Sequence, residues 1–238
     1  MPCNVFTLLA RLAGFSAYCS ILREDGEAIA DAACRLAVIL NGVLSIQGPP
    51  GAGKTYTGGR MILDLVRTGR RVGVTANSHK VIRNLLDAAI READLCGFDL
   101  QCLHKVSEKT DYVPHIAFTT DNGEALAGVF PVVAGTAWLW SRSDAFGAVD
   151  VLFVDEAAQM SLANVLAISP AATSVVLLGD PRQVEQPMQG SHPEGTDVSA
   201  LDRLLDGRTD DRPWRGPLPR PDMAIAPGYM PVHVRALL

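Results

Sequence analysis

The feature that most constrains this chain is a glycine-rich stretch that follows a short apolar run and precedes a helical pattern. Residues 43–46 (Val-Leu-Ser-Ile) are typical of a buried strand, and residues 55–68 have the length and apolar spacing of a helix. Between them stand Gly48, Pro49, Pro50, Gly51, Ala52, Gly53, Lys54 and Thr55, which match G-x-x-x-x-G-K-[ST]. This order predicts a strand, a phosphate-binding loop and a helix.

The chemistry expected of this loop follows from its residue types. Small residues let successive backbone N–H groups surround phosphate oxygens, and the N-terminus of the following helix adds its positive end. Lys54 is predicted to hold the β- and γ-phosphates of ATP, and Thr55 to place its hydroxyl on Mg²⁺. The alternative, a glycine-rich turn that binds nothing, is disfavoured by the flanking strand and helix.

Further strands and helices alternate along the chain. Strands are predicted at 71–76, 130–134, 149–154 and 174–178, and helices at 27–40, 160–168 and from an N-cap at Ser78 to about residue 95. Residues 96–129 are less regular and are expected to be a small insertion with one short strand and a polar loop. Apolar strands alternating with helices predict an α/β fold, a parallel sheet with helices on both faces.

Polar residues follow two of these apolar strands. Asp155 and Glu156 come directly after 149–154, and Gln183 lies in the loop after 174–178. Ligands of open parallel sheets gather at the carboxyl ends of the strands. Asp155 is therefore expected to hold Mg²⁺, Glu156 to activate the attacking water, and Gln183 to contact the γ-phosphate. Solvated carboxylates and an ordinary surface turn are the alternatives.

The motifs in this order resemble those of the superfamily 1B helicases. Residues 46–55 (I-Q-G-P-P-G-A-G-K-T), 155–159 (D-E-A-A-Q) and 179–183 (G-D-P-R-Q) look like motifs I, II and III of the branch that contains the nonsense-mediated-decay helicase and the Okazaki-fragment nuclease-helicase. The resemblance implies a RecA-like P-loop NTPase domain that hydrolyses ATP to move on single-stranded DNA or RNA. The family's upstream glutamine, which reads adenine, has no counterpart here.

Two weaker stretches resemble the parts of such helicases that contact the nucleic acid. Residues 74–79 look like motif Ia and 135–138 like the next strand-contacting motif, which implies nucleic-acid contacts at Asn77, Ser78 and Thr136. For Trp138 and Trp140, core packing and base stacking both stay open. Residues 189–195 and 198–201 are similar to bacterial proteins that fuse a RecB-like nuclease to this helicase type, without a physical role that the sequence reveals.

Composition adds little beyond a globular chain. The net charge of −5 mildly disfavours a nucleic-acid partner, although a local groove can still be basic. The five cysteines form no metal-ligand spacing and predict reduced thiols in a cytoplasmic protein. No run is apolar enough to cross a membrane, so no membrane partner is expected.

The expected organisation has three parts. Residues 1–26 are unassigned, 27–207 form the first RecA-like domain, and 208–238 are expected to be disordered or to come from a shifted reading frame. A one-nucleotide shift over 222–233 can spell T-W-R-L-H-P-G-I-C-R-F, which resembles a family motif of the second domain. That domain, or a nuclease domain, is expected on a longer or separate chain, and unwinding by this chain alone is not expected. A stand-alone nucleotide-binding module and a small-molecule kinase are the rival functions.

Overall fold

A computed structural model describes residues 26–108, 111–180, 199 and 201, together with the backbone of 233–237. Its helices are α1 (Ile29–Ile39), α2 (Lys54–Arg67), α3 (His79–Leu95), α4 (Asn122–Leu126), α5 (Ala137–Trp140) and α6 (Leu162–Ile168). Its strands are β1 (Val43–Gln47), β2 (Val72–Thr75), β3 (Cys102–Lys105), β4 (Ile116–Thr119), β5 (Val132–Ala134), β6 (Val149–Val154), β7 (Ala172–Gly179) and β8 (His233–Leu237).

The strands form one sheet in the order β4-β3-β5-β2-β6-β7-β1-β8. The first seven in this order are parallel, and β8 pairs antiparallel with β1 at the edge. Because β7 lies between β1 and β6, the loops that follow these three strands meet at one edge of the sheet. The parallel sheet predicted from the alternating strands and helices is confirmed.

Both faces of the sheet are covered, as expected of parallel strands. On β6, Val151 and Phe153 pack with α1, α2 and α3, whereas Leu152 and Val154 pack with α5 and α6. This division follows from the alternation of side chains along a strand, which sends successive residues to opposite faces. The strands are therefore apolar on both sides, which explains why they read as continuous hydrophobic runs in the sequence.

The range 96–129, expected to be an insertion with one short strand, contains two strands and a short helix. Strands β3 and β4 continue the central sheet beyond β5 in parallel register. Within the tail expected to be disordered, the backbone of His233–Leu237 forms β8. The frame-shift hypothesis for that tail stays a prediction, because nearly all of its residues lie outside the described part of the chain.

The described part of the chain contains neither a disulfide bond nor a helix that could span a membrane. The three cysteines in the described ranges, Cys34, Cys96 and Cys102, are free thiols. None of the helices in the described part of the chain has the length and apolar character needed to cross a membrane.

Helices α2 and α3 approach each other closely at a glycine pair in α2. A Cβ on Gly59 would lie 2.8 Å from the carbonyl carbon of Ala88 and 2.9 Å from the backbone nitrogen of Ala89. A Cβ on Gly58 would instead meet the side-chain ends of Leu178 and Leu85, at 2.8 and 3.0 Å. Only the first of these obstacles is backbone, so only Gly59 is required for the helix packing.

We therefore expect Gly59→Ala to lower the free energy of unfolding by about 1–3 kcal/mol, because the two helices must separate. Gly58→Ala is the matched control, since leucine ends can rotate away and alanine improves helix propensity by about 0.5–1 kcal/mol. Urea unfolding followed by circular dichroism measures both. Equal destabilisation by the two substitutions would contradict the assigned role of Gly59.

Candidate nucleotide-binding site

The predicted phosphate-binding loop lies between β1 and α2, as expected. Gly51 and Gly53 have φ angles of 78° and 86°, a left-handed conformation that glycine adopts without strain. A Cβ on either residue would meet no atom within 4 Å, so the loop surface there is open. Gly53 is also the N-cap of α2, and the unpaired N–H groups of the first helical turn face the same space.

Lys54 is half-buried at the first position of α2. Its Nζ donates hydrogen bonds to the carbonyl oxygen of Gly48 and, at 2.9 Å, to that of Pro49. Burial lowers the pKa of the Lys54 ammonium, and the carboxylates of Asp180, Asp155 and Glu156 oppose that change. One ammonium group thus lies among three acidic side chains that come from two different loops.

Asp155 follows the last residue of β6 and is only 6% exposed. Its Oδ1 accepts a hydrogen bond of 2.9 Å from the backbone N–H of Glu156. Burial, with a smaller contribution from the Glu156 charge, raises the pKa of Asp155 to about 6, although that hydrogen bond and Lys54 act in the opposite direction. A buried carboxylate in this state is stabilised by any cation that binds beside it.

Glu156 has a φ of 52°, in the left-handed region where non-glycine residues are uncommon. It caps a short 3₁₀ turn, Ala157–Gln159, that turns the chain away from the sheet edge. Such a conformation costs on the order of 1–2 kcal/mol and is concentrated at functional sites. The strained backbone therefore agrees with the role predicted for Glu156.

The ends of β1, β6 and β7 meet at Gly179. The N–H of Gly48 donates to the carbonyl oxygen of Gly179 at 3.2 Å. A Cβ on Gly179 would lie 3.1 Å from the backbone nitrogen of Ala158 and 2.8 Å from Cδ2 of Leu201. Leu201 is fully buried, and Ser199 forms an isolated β-bridge with Ser161. Ser199 and Leu201, from a stretch that the sequence leaves unexplained, thus contact the chain after β6 and the end of β7.

Two residues of the site were not predicted. Asp180 is 5% exposed at the end of β7, beside the charge of Lys54. Thr75 is fully buried at the end of β2, where its carbonyl accepts from the N–H of Asp155 and its Oγ1 has no hydrogen-bond partner among the described residues. Both follow or end apolar strands, the same signal that identified Asp155, but neither belongs to a recognisable catalytic pair.

The residues predicted to contact nucleic acid lie beyond β2 and β5, at the same sheet edge. The side-chain nitrogen of Asn77 donates to the carbonyl of Gln159 at 3.0 Å, so Asn77 links this loop to the turn after β6. Ser78 caps α3 by accepting from the N–H of Val81, as predicted. Thr136 precedes α5 and is partly exposed. These nucleic-acid contacts stay predictions, and Gln183 lies outside the described residues.

The two tryptophans of α5, left open by the sequence, have different surroundings. Trp140 is 1% exposed, and its Nε1 donates to the carbonyl oxygens of Gly135 and Val74 at 3.1 and 3.3 Å. Trp138 is 84% exposed. Core packing therefore applies to Trp140 alone, and Trp138 remains available for an external contact.

The residues present fit a magnesium-bound nucleoside triphosphate. Gly51 and Gly53 leave open space above the loop, where the N–H groups of the helix end are aimed. Lys54 supplies the positive charge, and Asp155 supplies a buried carboxylate oxygen of the kind that Mg²⁺ prefers. Thr55 follows Lys54 in the first turn of α2, where its hydroxyl can serve as the second protein ligand.

The fold and this edge of the sheet define a P-loop nucleotide-binding α/β domain. A family model described as AAA domain matches residues 29–196, and the chain belongs to that family. An AAA domain binds a nucleoside triphosphate, typically with Mg²⁺. The matched range includes the phosphate-binding loop, the acidic pair and the loop after β7.

Two individual proteins are also similar to this chain, at low sequence identity. The chain is 29% identical over 145 residues to the "DNA replication ATP-dependent helicase/nuclease DNA2" of Saccharomyces cerevisiae, which covers 58% of this chain and 10% of that protein. The chain therefore spans about a tenth of that relative. The solved complex of the Arterivirus nonstructural protein 10 helicase with DNA aligns with 68% of this chain and 34% of that one, at 20% identity and a TM-score of 0.40. With a TM-score of 0.40, this structural similarity supports no conclusion about the chain.

The buried carboxylate of Asp155 predicts a pH-dependent cost to folding. Its pKa of about 6 lies above the 3.8 of a free aspartate, so folding favours the protonated carboxyl. The folded state is therefore most stable, with respect to this group, at a pH below 3.8, and this stability is lost as the pH rises through 6. Above that range, the ionised and buried side chain costs about 3 kcal/mol relative to an aspartate with an unchanged pKa.

We therefore expect Asp155→Asn to raise the free energy of unfolding of the nucleotide-free protein by about 1–3 kcal/mol at neutral pH, with little difference near pH 4. Asp94→Asn, at an exposed position of α3, is the control and should change stability by less than about 0.5 kcal/mol. Urea unfolding at the two pH values gives the result. A gain that is the same at both would show that burial does not raise this pKa.

Proposed function

We propose that this chain is the ATP- and Mg²⁺-binding motor domain of a superfamily 1 helicase, which hydrolyses ATP to drive movement on single-stranded DNA or RNA. The observation that carries the proposal is the meeting of three loops at one edge of the sheet, with Lys54 beside Asp155, Glu156 and Asp180. The motif resemblance and the similarity to a helicase/nuclease over 145 residues support it.

Each side chain then has a distinct task. Lys54 leaves the carbonyl oxygens of its own loop and binds the β- and γ-phosphates, a better partner for an ammonium than a neutral oxygen. Thr55 and Asp155 hold Mg²⁺, which neutralises charge on the phosphates. Glu156, held in its turn beyond β6, orients and deprotonates the attacking water. Gln183 is proposed to contact the γ-phosphate.

Movement along a strand is proposed for the intact motor rather than for this domain by itself. In the helicases that the motifs resemble, a second RecA-like domain supplies arginines to the phosphates. Such an arginine contributes about 10³ to 10⁵ in rate, so the domain alone is expected to hydrolyse ATP slowly. A partner chain that carries this second domain should restore rapid hydrolysis.

A nucleotide-dependent binding module is the second candidate function, because the same site could bind ATP without driving movement. Stimulation of ATP hydrolysis by an added single strand separates the two functions. A motor should hydrolyse ATP faster when single-stranded DNA or RNA is present, whereas a module that uses the nucleotide only as a switch should not. A small-molecule kinase would instead transfer the γ-phosphate to an acceptor other than water.

Lys54→Ala is expected to weaken the binding of Mg-ATP by about 10- to 100-fold, the value of a charge-assisted hydrogen bond. Arg91→Ala removes one positive charge from an exposed position of α3 and serves as the control. Isothermal titration calorimetry on the folded variants gives both affinities. Unchanged binding in Lys54→Ala would reject the site for every candidate function.

The exposed Trp138 is proposed to stack on a base of the single strand. It lies beyond β5, next to the Asn77–Ser78 loop beyond β2, because β5 and β2 are paired. Trp140 anchors the same short helix through two hydrogen bonds, so Trp138 is presented on a fixed backbone. Base stacking tolerates any sequence, which suits a motor that moves along a strand.

Trp138→Ala should therefore weaken the binding of a single-stranded oligonucleotide by about 5- to 150-fold, the equivalent of 1–3 kcal/mol per stacked base. Trp138→Phe should retain most of the affinity. Leu95→Ala, an exposed apolar residue at the opposite end of α3, is the control. Fluorescence anisotropy of a labelled strand measures all three. Equal affinities for wild type and Trp138→Ala would remove stacking from the proposal.

A further inference from the structure

The loop after β2 holds the turn that carries the proposed catalytic glutamate. Residues 155–159, the acidic turn, begin at the end of β6, which pairs with β2. At the first residue of the turn, the N–H of Asp155 donates to the carbonyl oxygen of Thr75 at 2.9 Å. At the last residue, the carbonyl oxygen of Gln159 accepts from Nδ2 of Asn77 at 3.0 Å. The acidic turn is therefore bonded at both ends to the same neighbouring segment.

These two bonds differ in kind. The bond at Thr75 continues the parallel pairing of β2 with β6, so it belongs to the sheet and depends on no side chain. The bond at Gln159 lies beyond the sheet and depends on the side-chain amide of Asn77, which is partly buried. A substitution at position 77 can therefore release the far end of the acidic turn and leave the sheet intact.

The backbone between the two ends is strained. Glu156 has a φ of 52°, a conformation that persists only where the surrounding structure holds it. Within the turn, the N–H of Gln159 donates to the carbonyl oxygen of Glu156 at 2.9 Å, and that of Met160 donates to Ala157 at 3.2 Å. Because Glu156 and Gln159 belong to the same 3₁₀ turn, a bond that fixes the carbonyl of Gln159 also limits the movement of Glu156.

This bond bears on the nucleic-acid contact predicted for Asn77. A side-chain amide has two N–H groups, and one of those on Asn77 is already donated to the acidic turn. The next residue, Ser78, is exposed, and its hydroxyl caps α3. The partner that the structure gives to Asn77 thus lies on the nucleotide side of the sheet edge.

We infer that Asn77 is a positioning residue for ATP hydrolysis, whose amide holds the carbonyl of Gln159 and thereby keeps Glu156 in place to activate water. The inference rests on the proposed function, because it takes from there the catalytic role of Glu156. Asn77 acts through the acidic turn, whereas Lys54 and the phosphate-binding loop bind the nucleotide. Loss of its amide should therefore slow the chemical step without weakening the binding of Mg-ATP.

Hydrolysis of Mg-ATP by the full chain tests this division. Asn77→Ala removes the donor, and Asn77→Asp places a carboxylate of the same shape against the carbonyl oxygen. We expect Asn77→Ala to lower kcat by about 3- to 10-fold, the value of one hydrogen bond, with KM within about twofold of wild type. Asn77→Asp should lower kcat by a larger factor. Asn84→Asp makes the same chemical change at an exposed position of α3 and should leave both constants unchanged.

A second measurement follows the acidic turn itself and needs no catalytic activity. The N–H groups of Gln159 and Met160 close the turn, so their hydrogen exchange reports its opening. In Asn77→Ala we expect both to exchange about 3- to 10-fold faster than in wild type. The N–H of Asp155, which is bonded to the sheet at Thr75, should keep its rate and shows that the variant is folded.

The results separate this inference from the proposed function. Unchanged exchange at Gln159 and Met160 in Asn77→Ala would overturn the positioning role. An unchanged kcat, together with weaker binding of a labelled oligodeoxythymidylate, would make Asn77 a nucleic-acid contact instead and leave the helicase function standing. If wild type hydrolyses no ATP, the proposed function fails, and the catalytic role of Asn77 fails with it.

Discussion

The close approach of backbone at Gly179 is the contact on which the rest of the site depends. The carbonyl of Gly179 accepts from the N–H of Gly48, and a Cβ on Gly179 would make tight contacts of 3.1 and 3.3 Å with the nitrogens of Ala158 and Ala157. The phosphate-binding loop, the acidic turn and Asp180 are thereby joined at one point. Because β7 separates β1 from β6, the loop and the acidic pair lie about two strand spacings apart, on the order of 10 Å, which leaves room for phosphates and a cation.

The electrostatics of this edge oppose folding and favour ligand binding. Three carboxylates surround one lysine, burial raises the pKa of Asp155, and Glu156 has a left-handed backbone. Each of these features costs free energy in the nucleotide-free protein. A bound cation and phosphates would offset the first two costs, so ligand binding would stabilise the folded protein. The apolar strands beneath, buried on both faces, supply the stability that permits this arrangement.

The neighbouring part of the edge contains two pairs of aromatic rings, each with one buried and one more exposed member. Trp140 is buried and hydrogen-bonded, while Trp138 on the same helix is exposed. His104 is buried, while its partner His79 is partly exposed. The buried Trp140 is hydrogen-bonded to backbone carbonyls beside its helix, and Nε2 of the buried His104 lies 3.1 Å from Nδ1 of His79. Prior ordering of exposed side chains by their buried neighbours reduces the entropy lost when a ligand binds.

The sequence by itself determined the elements with strong local signals. The phosphate-binding loop, the capping role of Ser78 and the buried strands could be predicted because glycine, cap residues and apolar runs act through nearest neighbours. The strands β3 and β4 were largely missed, because they are short and only their pairing with the central sheet stabilises them. The roles of Asp180 and Leu201, and the different surroundings of Trp138 and Trp140, depend on strand order and on contacts distant in the chain. Only the tertiary structure could decide these, since burial and hydrogen bonding between remote residues leave no local pattern in the sequence.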